Sequence, residues 1–271
     1  MTLERTRAFF ALLLLLMVAP WAPAETRSPA RTVVIVHGAW GGGWDWKETA
    51  AVLESRGFEV HRPTLTGLGE RRHLLSPGID LTTHIADVVN VLRFEQLDDV
   101  ILVGHSYGGM VITGVAEAIP ERLERLVYFD AFLPFDGECI LAVGRDAEPS
   151  ELCTDEAAER MLSEPTNAGG IPPGWVAPGT PPRTDVPHPV GTFVEPIKLA
   201  GAPGNGVPAG YIITRETAGG TDDFNVTAKR AEELGFPVVE YVGNHVPHRE
   251  DPEGVARLFV SFSPANDRTR E

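Results

Sequence analysis

The stretch Val100-Ile101-Leu102-Val103-Gly104-His105-Ser106-Tyr107-Gly108-Gly109-Met110 sets three backbone conformations end to end. Val100 to Val103 is an apolar run that suits a strand covered on both faces, and Met110 to Ile119 carries apolar residues at helical spacing. Between them Gly104-His105-Ser106-Tyr107-Gly108 leaves room only for a tight turn. Glycines two before and two after Ser106 remove side chains that would crowd so sharp a bend. A G-x-S-x-G pattern in this strand, turn and helix setting raises the serine hydroxyl clear of the backbone. The chemistry needs that shape: a serine hydroxyl is a weak nucleophile until an imidazole takes its proton and backbone amides face the developing oxyanion.

Working outward, Thr32 to Val36 is β-branched throughout and leads into His37-Gly38-Ala39-Trp40 and three further glycines. Trp44 to Ser55 has helical spacing, Phe58 to His61 reads as a short strand, and Pro63 to Gly78 as a loop. Asp80 or Thr82 can cap a helix running through Ile85, Val88, Val89 and Leu92. Leu126 to Phe129 is the next strand and ends at Asp130. Residues 134–208 then depart from the pattern, rich in proline and glycine with one helical piece near Glu151 to Leu162. This segment reads as a lid inserted over the strand ends, packed down by Trp175, Phe193 and Ile197. Regular alternation resumes with a strand at Tyr211 to Thr214, a helix at Asp223 to Leu234, a strand at Val238 to Val242 and a helix at Pro252 to Phe262. Alternating strands and helices specify a doubly wound, mostly parallel sheet, here one domain over residues 25–271.

The first two dozen of the 271 residues differ in kind. Arg5 and Arg7 precede the apolar run Ala8 to Ala19, and Ala22-Pro23-Ala24 offers small residues where a signal peptidase cuts. Residues 1–24 therefore read as an export signal cleaved after Ala24, which implies a secreted or periplasmic protein. The alternative, a membrane anchor, is disfavoured because the run is shorter than the roughly 20 residues that span a bilayer. The formal charge of −15 argues against nucleic acid and anionic membranes as partners. Cys139 and Cys153 fall in one segment of an exported chain. They stand either as a disulfide or as two free thiols.

In open α/β sheets functional groups gather beyond the carboxyl ends of the strands, where His37, Ser106, Asp130, Glu216 and His245 all fall. The segments VVIVHGAWGGGWDW (33–46), VGHSYGG (103–109), YFDAFLP (128–134) and VGNHVPH (242–248) resemble the α/β-hydrolase superfamily. More narrowly they resemble the esterase branch that holds plant methylesterases and hydroxynitrile lyases, with its bacterial carboxylesterase relatives. The resemblance implies that Ser106 attacks an acyl carbonyl, that His245 takes and returns the proton, and that a carboxylate orients the ring. It also implies an oxyanion hole from the backbone amides of Tyr107 and Ala39.

Two of these roles have competitors. His248 shares the loop of His245 but stands further from the strand end, and a metal site built on the two histidines lacks further ligands at recognisable spacing. The orienting acid is read as Asp130 ahead of Glu216, because Thr217 falls about where plant relatives carry the acid. The expected protein is a serine carboxylesterase acting on a small, largely apolar ester or lactone, with no metal or organic cofactor. Trp40, Phe132 and Trp175, with Tyr107, are candidate walls of the substrate site. Lyase chemistry of the related branch is disfavoured by Val246, where those lyases carry a lysine. A ligand-binding protein on an intact hydrolase fold is the alternative outside enzymology.

Overall fold

The computed structural model describes residues 31–163, 170–177, 179–216 and 224–261. The candidate export signal and residues Thr217, Asp222, Asp223 and Phe262 lie outside these. Among the described residues the strands β1 (Thr32–Val36), β2 (Glu59–His61), β3 (Val100–His105), β4 (Leu123–Phe129), β5 (Ala209–Arg215) and β6 (Val238–Val242) form one six-stranded sheet. Their order is β2-β1-β3-β4-β5-β6, and every pairing is parallel. The sheet is therefore the doubly wound α/β arrangement that strand and helix alternation implied.

Both faces of the sheet are covered. Along β1, Val34 and Val36 belong to one apolar core and Val33 and Ile35 to the other, which is why this strand shows no polar alternation. Helices α1 (Lys47–Ser55), α2 (Leu81–Phe94), α3 (Gly108–Ala118), α4 (Pro149–Leu152), α5 (Asp155–Ser163), α6 (Gly191–Val194), α7 (Asn225–Glu233) and α8 (Pro252–Ser261) supply the flanking elements. Asp80 caps α2 by accepting a hydrogen bond from the Thr83 amide at 2.8 Å. The chain runs outward in opposite directions from β1 and β3, so a crevice opens at their carboxyl ends.

Several elements differ from the sequence reading. The helix expected from Trp44 begins as a 3-10 turn over Gly43–Trp46 before α1 takes over. The single helical piece expected near Glu151 is two helices, α4 and α5. They are separated at Cys153 and Thr154, where Cys153 is tied to Cys139 by a disulfide and Thr154 Oγ1 accepts from the Ala157 amide at 3.1 Å. β4 starts at Leu123 rather than Leu126, because a register shift at Val100/Ile101 lets the chain pair with β3 earlier. Among the described residues no helix is long and apolar enough to cross a membrane.

Candidate active site

Ser106 sits between β3 and α3 with φ +53, a left-handed conformation that a non-glycine residue adopts only when its surroundings enforce it. The enforcement comes from the flanking glycines. A Cβ on Gly104 would lie 2.7 Å from the Gly108 carbonyl oxygen, and one on Gly108 would lie 2.6 Å from that of Val36. The start of α3 thus presses directly on β1 and β3, and the bend between them lifts Ser106 over the crevice. The Ser106 carbonyl in turn accepts from the amides of Gly109 at 3.0 Å and Phe132 at 3.1 Å.

Asp130, at the end of β4, also has a left-handed backbone, φ +44, and is fully buried. Its Oδ1 accepts from the Thr214 amide at 2.9 Å and its Oδ2 from the Thr214 hydroxyl at 2.7 Å. Oδ2 also lies 2.6 Å from Nδ1 of His245. A carboxylate only accepts, so the ring proton is on Nδ1 and the lone pair is on Nε2. Glu216, the competing acid, is exposed at the end of β5. Phe224 stacks on the His245 ring with centroids 5.1 Å apart, and Phe132 meets Phe224 edge-on at 5.0 Å. Phe132, expected as a wall, thus backs the histidine and is not among the residues lining the cavity.

His248 has a different place. It is buried, stacks on Trp46 at 4.0 Å, and its Nε2 lies 3.1 Å from Asp45. Burial lowers its pKa below the usual histidine range even against the pull of Asp45. Asp45 is more strongly placed. Burial opposes its charge, but hydrogen bonds from His248 and Arg249 outweigh this and bring its pKa down to about 2. His105, the residue before Ser106, is buried beneath the site and donates from Nε2 to the His245 carbonyl at 2.9 Å. Burial first, and the neighbouring His245 and His248 next, hold its pKa well below the usual range.

Ser106 and His245 line one cavity of about 290 Å³, with Ala39, Trp40, Trp175, Asp185 and Arg249 on its walls. Among the described residues no hydrogen bond joins the Ser106 hydroxyl to His245, and the two groups meet across this space. The backbone amides of Ala39 and Tyr107 likewise have no acceptor among the described residues. The side chain of Tyr107 does not wall the cavity. It is buried, with its hydroxyl 2.9 Å from Nδ1 of His84. Trp40 and Trp175 form an edge-to-face pair with centroids 5.0 Å apart. Next to them, with the Trp175 indole donating to Asp185 at 2.7 Å, Arg249 bridges Asp45, at 2.8 Å, and Asp185, at 3.0 Å, so two carboxylates face one guanidinium. Sequence reasoning missed His105, Asp45, Asp185 and Arg249 as parts of the site, although His105 and Asp45 lay inside segments already singled out. No group of three or more potential metal-ligating side chains occurs among the described residues.

A parallel sheet with an elbow serine and an aspartate-bound histidine at its switch point defines an α/β protein of hydrolase architecture. Residues 33–258 match the alpha/beta hydrolase family, and the chain belongs to it. Among curated proteins, a carbendazim hydrolyzing esterase of Nocardioides sp. (strain SG-4G) is 53% identical over 119 residues, which are 44% of this chain and 49% of that one. Salicylic acid-binding protein 2 of Nicotiana tabacum is 32% identical over 102 residues, 37% of this chain and 39% of that one. The matched stretch thus spans half or less of these relatives. Among solved structures, an extracellular alpha/beta-hydrolase from a Paenibacillus species, described as sharing homology with the tobacco protein, superimposes with a TM-score of 0.65 at 25% identity. That likeness covers 85% of this chain and 98% of the other. Both the bacterial esterases and the plant branch are the relatives to which the sequence motifs pointed.

Proposed function

We propose that the protein is an exported serine carboxylesterase that cleaves a small, neutral ester or lactone through an acyl-enzyme on Ser106. The observation that carries this reading is the 2.6 Å bond from His245 Nδ1 to the buried Asp130, with His245 and Ser106 on one cavity. Ser106 Oγ attacks the acyl carbon while His245 Nε2 takes the hydroxyl proton, and the charge collects on the carbonyl oxygen. The free amides of Ala39 and Tyr107 receive that oxyanion. As the carbon to alkoxide bond breaks, His245 returns the proton to the leaving alcohol. Water then gives a proton to Nε2 and its oxygen to the acyl carbon; the bond from that carbon to Ser106 Oγ breaks, Nε2 returns the proton to Oγ, and the carboxylic acid leaves. Bound substrate brings serine and imidazole into direct contact, a tightening common in such sites.

The cavity volume and the Trp40 and Trp175 faces favour a compact, largely apolar substrate. Asp45 and Asp185 outnumber Arg249, so an ester that carries its own carboxylate is disfavoured. The described part of the insertion, which brings Trp175 and Asp185 to the cavity, serves as a lid over this space. Export is supported by the basic start and apolar run before Ala24, by the Cys139–Cys153 disulfide and by a relative described as extracellular. No cofactor takes part. The test is labelling with a fluorophosphonate, expected for the wild type and lost in Ser106→Ala, followed by a panel of p-nitrophenyl, aryl and lactone substrates, neutral and anionic. An unlabelled wild type that turns over no ester sinks the reading and leaves a ligand-binding hydrolase fold. Mass spectrometry of the exported protein is expected to find Glu25 first.

A further inference from the structure

The mechanism above has no task for one buried titratable side chain that the insertion delivers to the site. His188 is fully buried, with Nδ1 3.1 Å from the Trp40 amide and Nε2 2.8 Å from the Thr192 hydroxyl oxygen. An amide N–H only donates, so Nδ1 is the acceptor and the ring proton is on Nε2, given to Thr192. The Thr192 hydroxyl in turn donates to the Pro189 carbonyl at 2.8 Å, which makes the chain of hydrogen bonds directional. Burial first, then the neighbouring His84 and His37, keeps the His188 pKa well below the usual range, so the acceptor lone pair persists at working pH.

Trp40 is held by the insertion at every polar atom it has. Besides the amide on His188, its carbonyl accepts from the Val186 amide at 2.9 Å and its indole donates to the Ile171 carbonyl at 2.9 Å. These bonds fix a left-handed backbone, φ +63, in a bulky residue that does not adopt it unaided. Trp40 directly follows Ala39, whose own amide has no acceptor among the described residues and which lines the cavity with Ser106.

We propose that His188 is a positioning residue for the oxyanion loop: by taking up the Trp40 amide it locks the peptide next to Ala39 and leaves the Ala39 amide as that loop's donor. The insertion thereby acts on the chemical step as well as on substrate access. This inference rests on Ser106 being the nucleophile. A locked loop raises kcat without tightening ground-state binding, because the donor meets charge only in the transition state.

The experiment compares wild type, His188→Phe and His188→Asn on one p-nitrophenyl ester, with kcat and KM measured separately and fluorophosphonate labelling as a control. His188→Phe keeps a planar ring and loses the acceptor, so kcat is expected to fall about 10- to 100-fold at nearly constant KM. The Asn side-chain oxygen stands near the place of Nδ1, so His188→Asn is expected to recover most of that loss. The Ki of a trifluoromethyl ketone, which forms an oxyanion adduct with a serine, is expected to rise in step with the fall in kcat. Full activity in His188→Phe, or equal loss in both variants, overturns the proposal while leaving Ser106 in place. A wild type that is neither labelled nor active overturns both readings. If His188→Phe does not fold, Thr192→Val tests the same link: a smaller fall in kcat at constant KM is expected, and an unchanged kcat refutes it.

Discussion

Asp130 Oδ2 and His245 Nδ1, 115 positions apart in the chain, lie 2.6 Å from each other, and the carboxylate is wholly screened from solvent. The Thr214 amide and hydroxyl take the other directions around that carboxylate, which aims it at the ring.

Asp130→Asn replaces an acceptor with an amide that can present N–H to Nδ1 and select the wrong tautomer. A fall in kcat of roughly 10³- to 10⁴-fold is expected. Glu216→Gln changes an exposed side chain and is expected to alter kcat less than about threefold. Steady-state kinetics on one ester decide this, and the reverse order would transfer the acid role to Glu216.

The two histidines of one loop separate in the same way. His245→Gln is expected to lower kcat by about 10⁴-fold or more with little effect on stability. His248→Gln removes the stack on Trp46 and the bond to Asp45, so it is expected to lower the denaturation midpoint while retaining a tenth or more of kcat. Paired measurements of kcat and urea midpoint test this, and a dead but fully stable His248→Gln would contradict it.

Stability is expected to fall on mild acidification. Burial lowers the pKa of His37, His84, His105, His188 and His248 from 6.5, to about 4 for His84. The unfolded chain takes up these protons as pH drops below about 6.5 and the folded chain does not, so the folded state loses ground through that window. For His84 alone the linkage amounts to roughly 3 kcal/mol at its limit. Asp45 acts at lower pH: its carboxylate, brought to about 2, contributes stability above the ordinary 3.8, and this is lost as pH falls toward 2. Urea midpoints measured from about pH 8 down to about pH 4 are expected to decline; a flat profile would show that these rings are not held neutral.

The Cys139–Cys153 disulfide closes a short loop at the start of the insertion. Cys153→Ser is expected to cost about 3 kcal/mol by the loop-entropy argument, measured by denaturation against the oxidised wild type. Because neither cysteine lines the cavity, kcat at a permissive temperature is expected to be nearly unchanged.

Much of this architecture is legible in local patterns. The unbroken apolar runs of β1 and β3 announce strands covered on both faces, and the glycines around Ser106 announce a bend too close for side chains. Both signals act over a few residues, where backbone sterics and burial leave few choices. The break between α4 and α5 was less visible, because one continuous helical pattern hides a covalent tie to Cys139.

By itself, then, the sequence determined the α/β alternation, the elbow at Ser106 and the set of polar residues at strand ends, since each follows from periodicity and turn chemistry within one short segment. Only the tertiary structure decided which carboxylate meets His245, because Asp130 and Glu216 end adjacent strands and differ in burial rather than in local pattern. It alone brought Arg249 to Asp45 across 204 positions and His188 to the Trp40 amide across 148. Such contacts depend on sheet order and on the path of the insertion over the crevice, and hydrophobic periodicity carries no information about either.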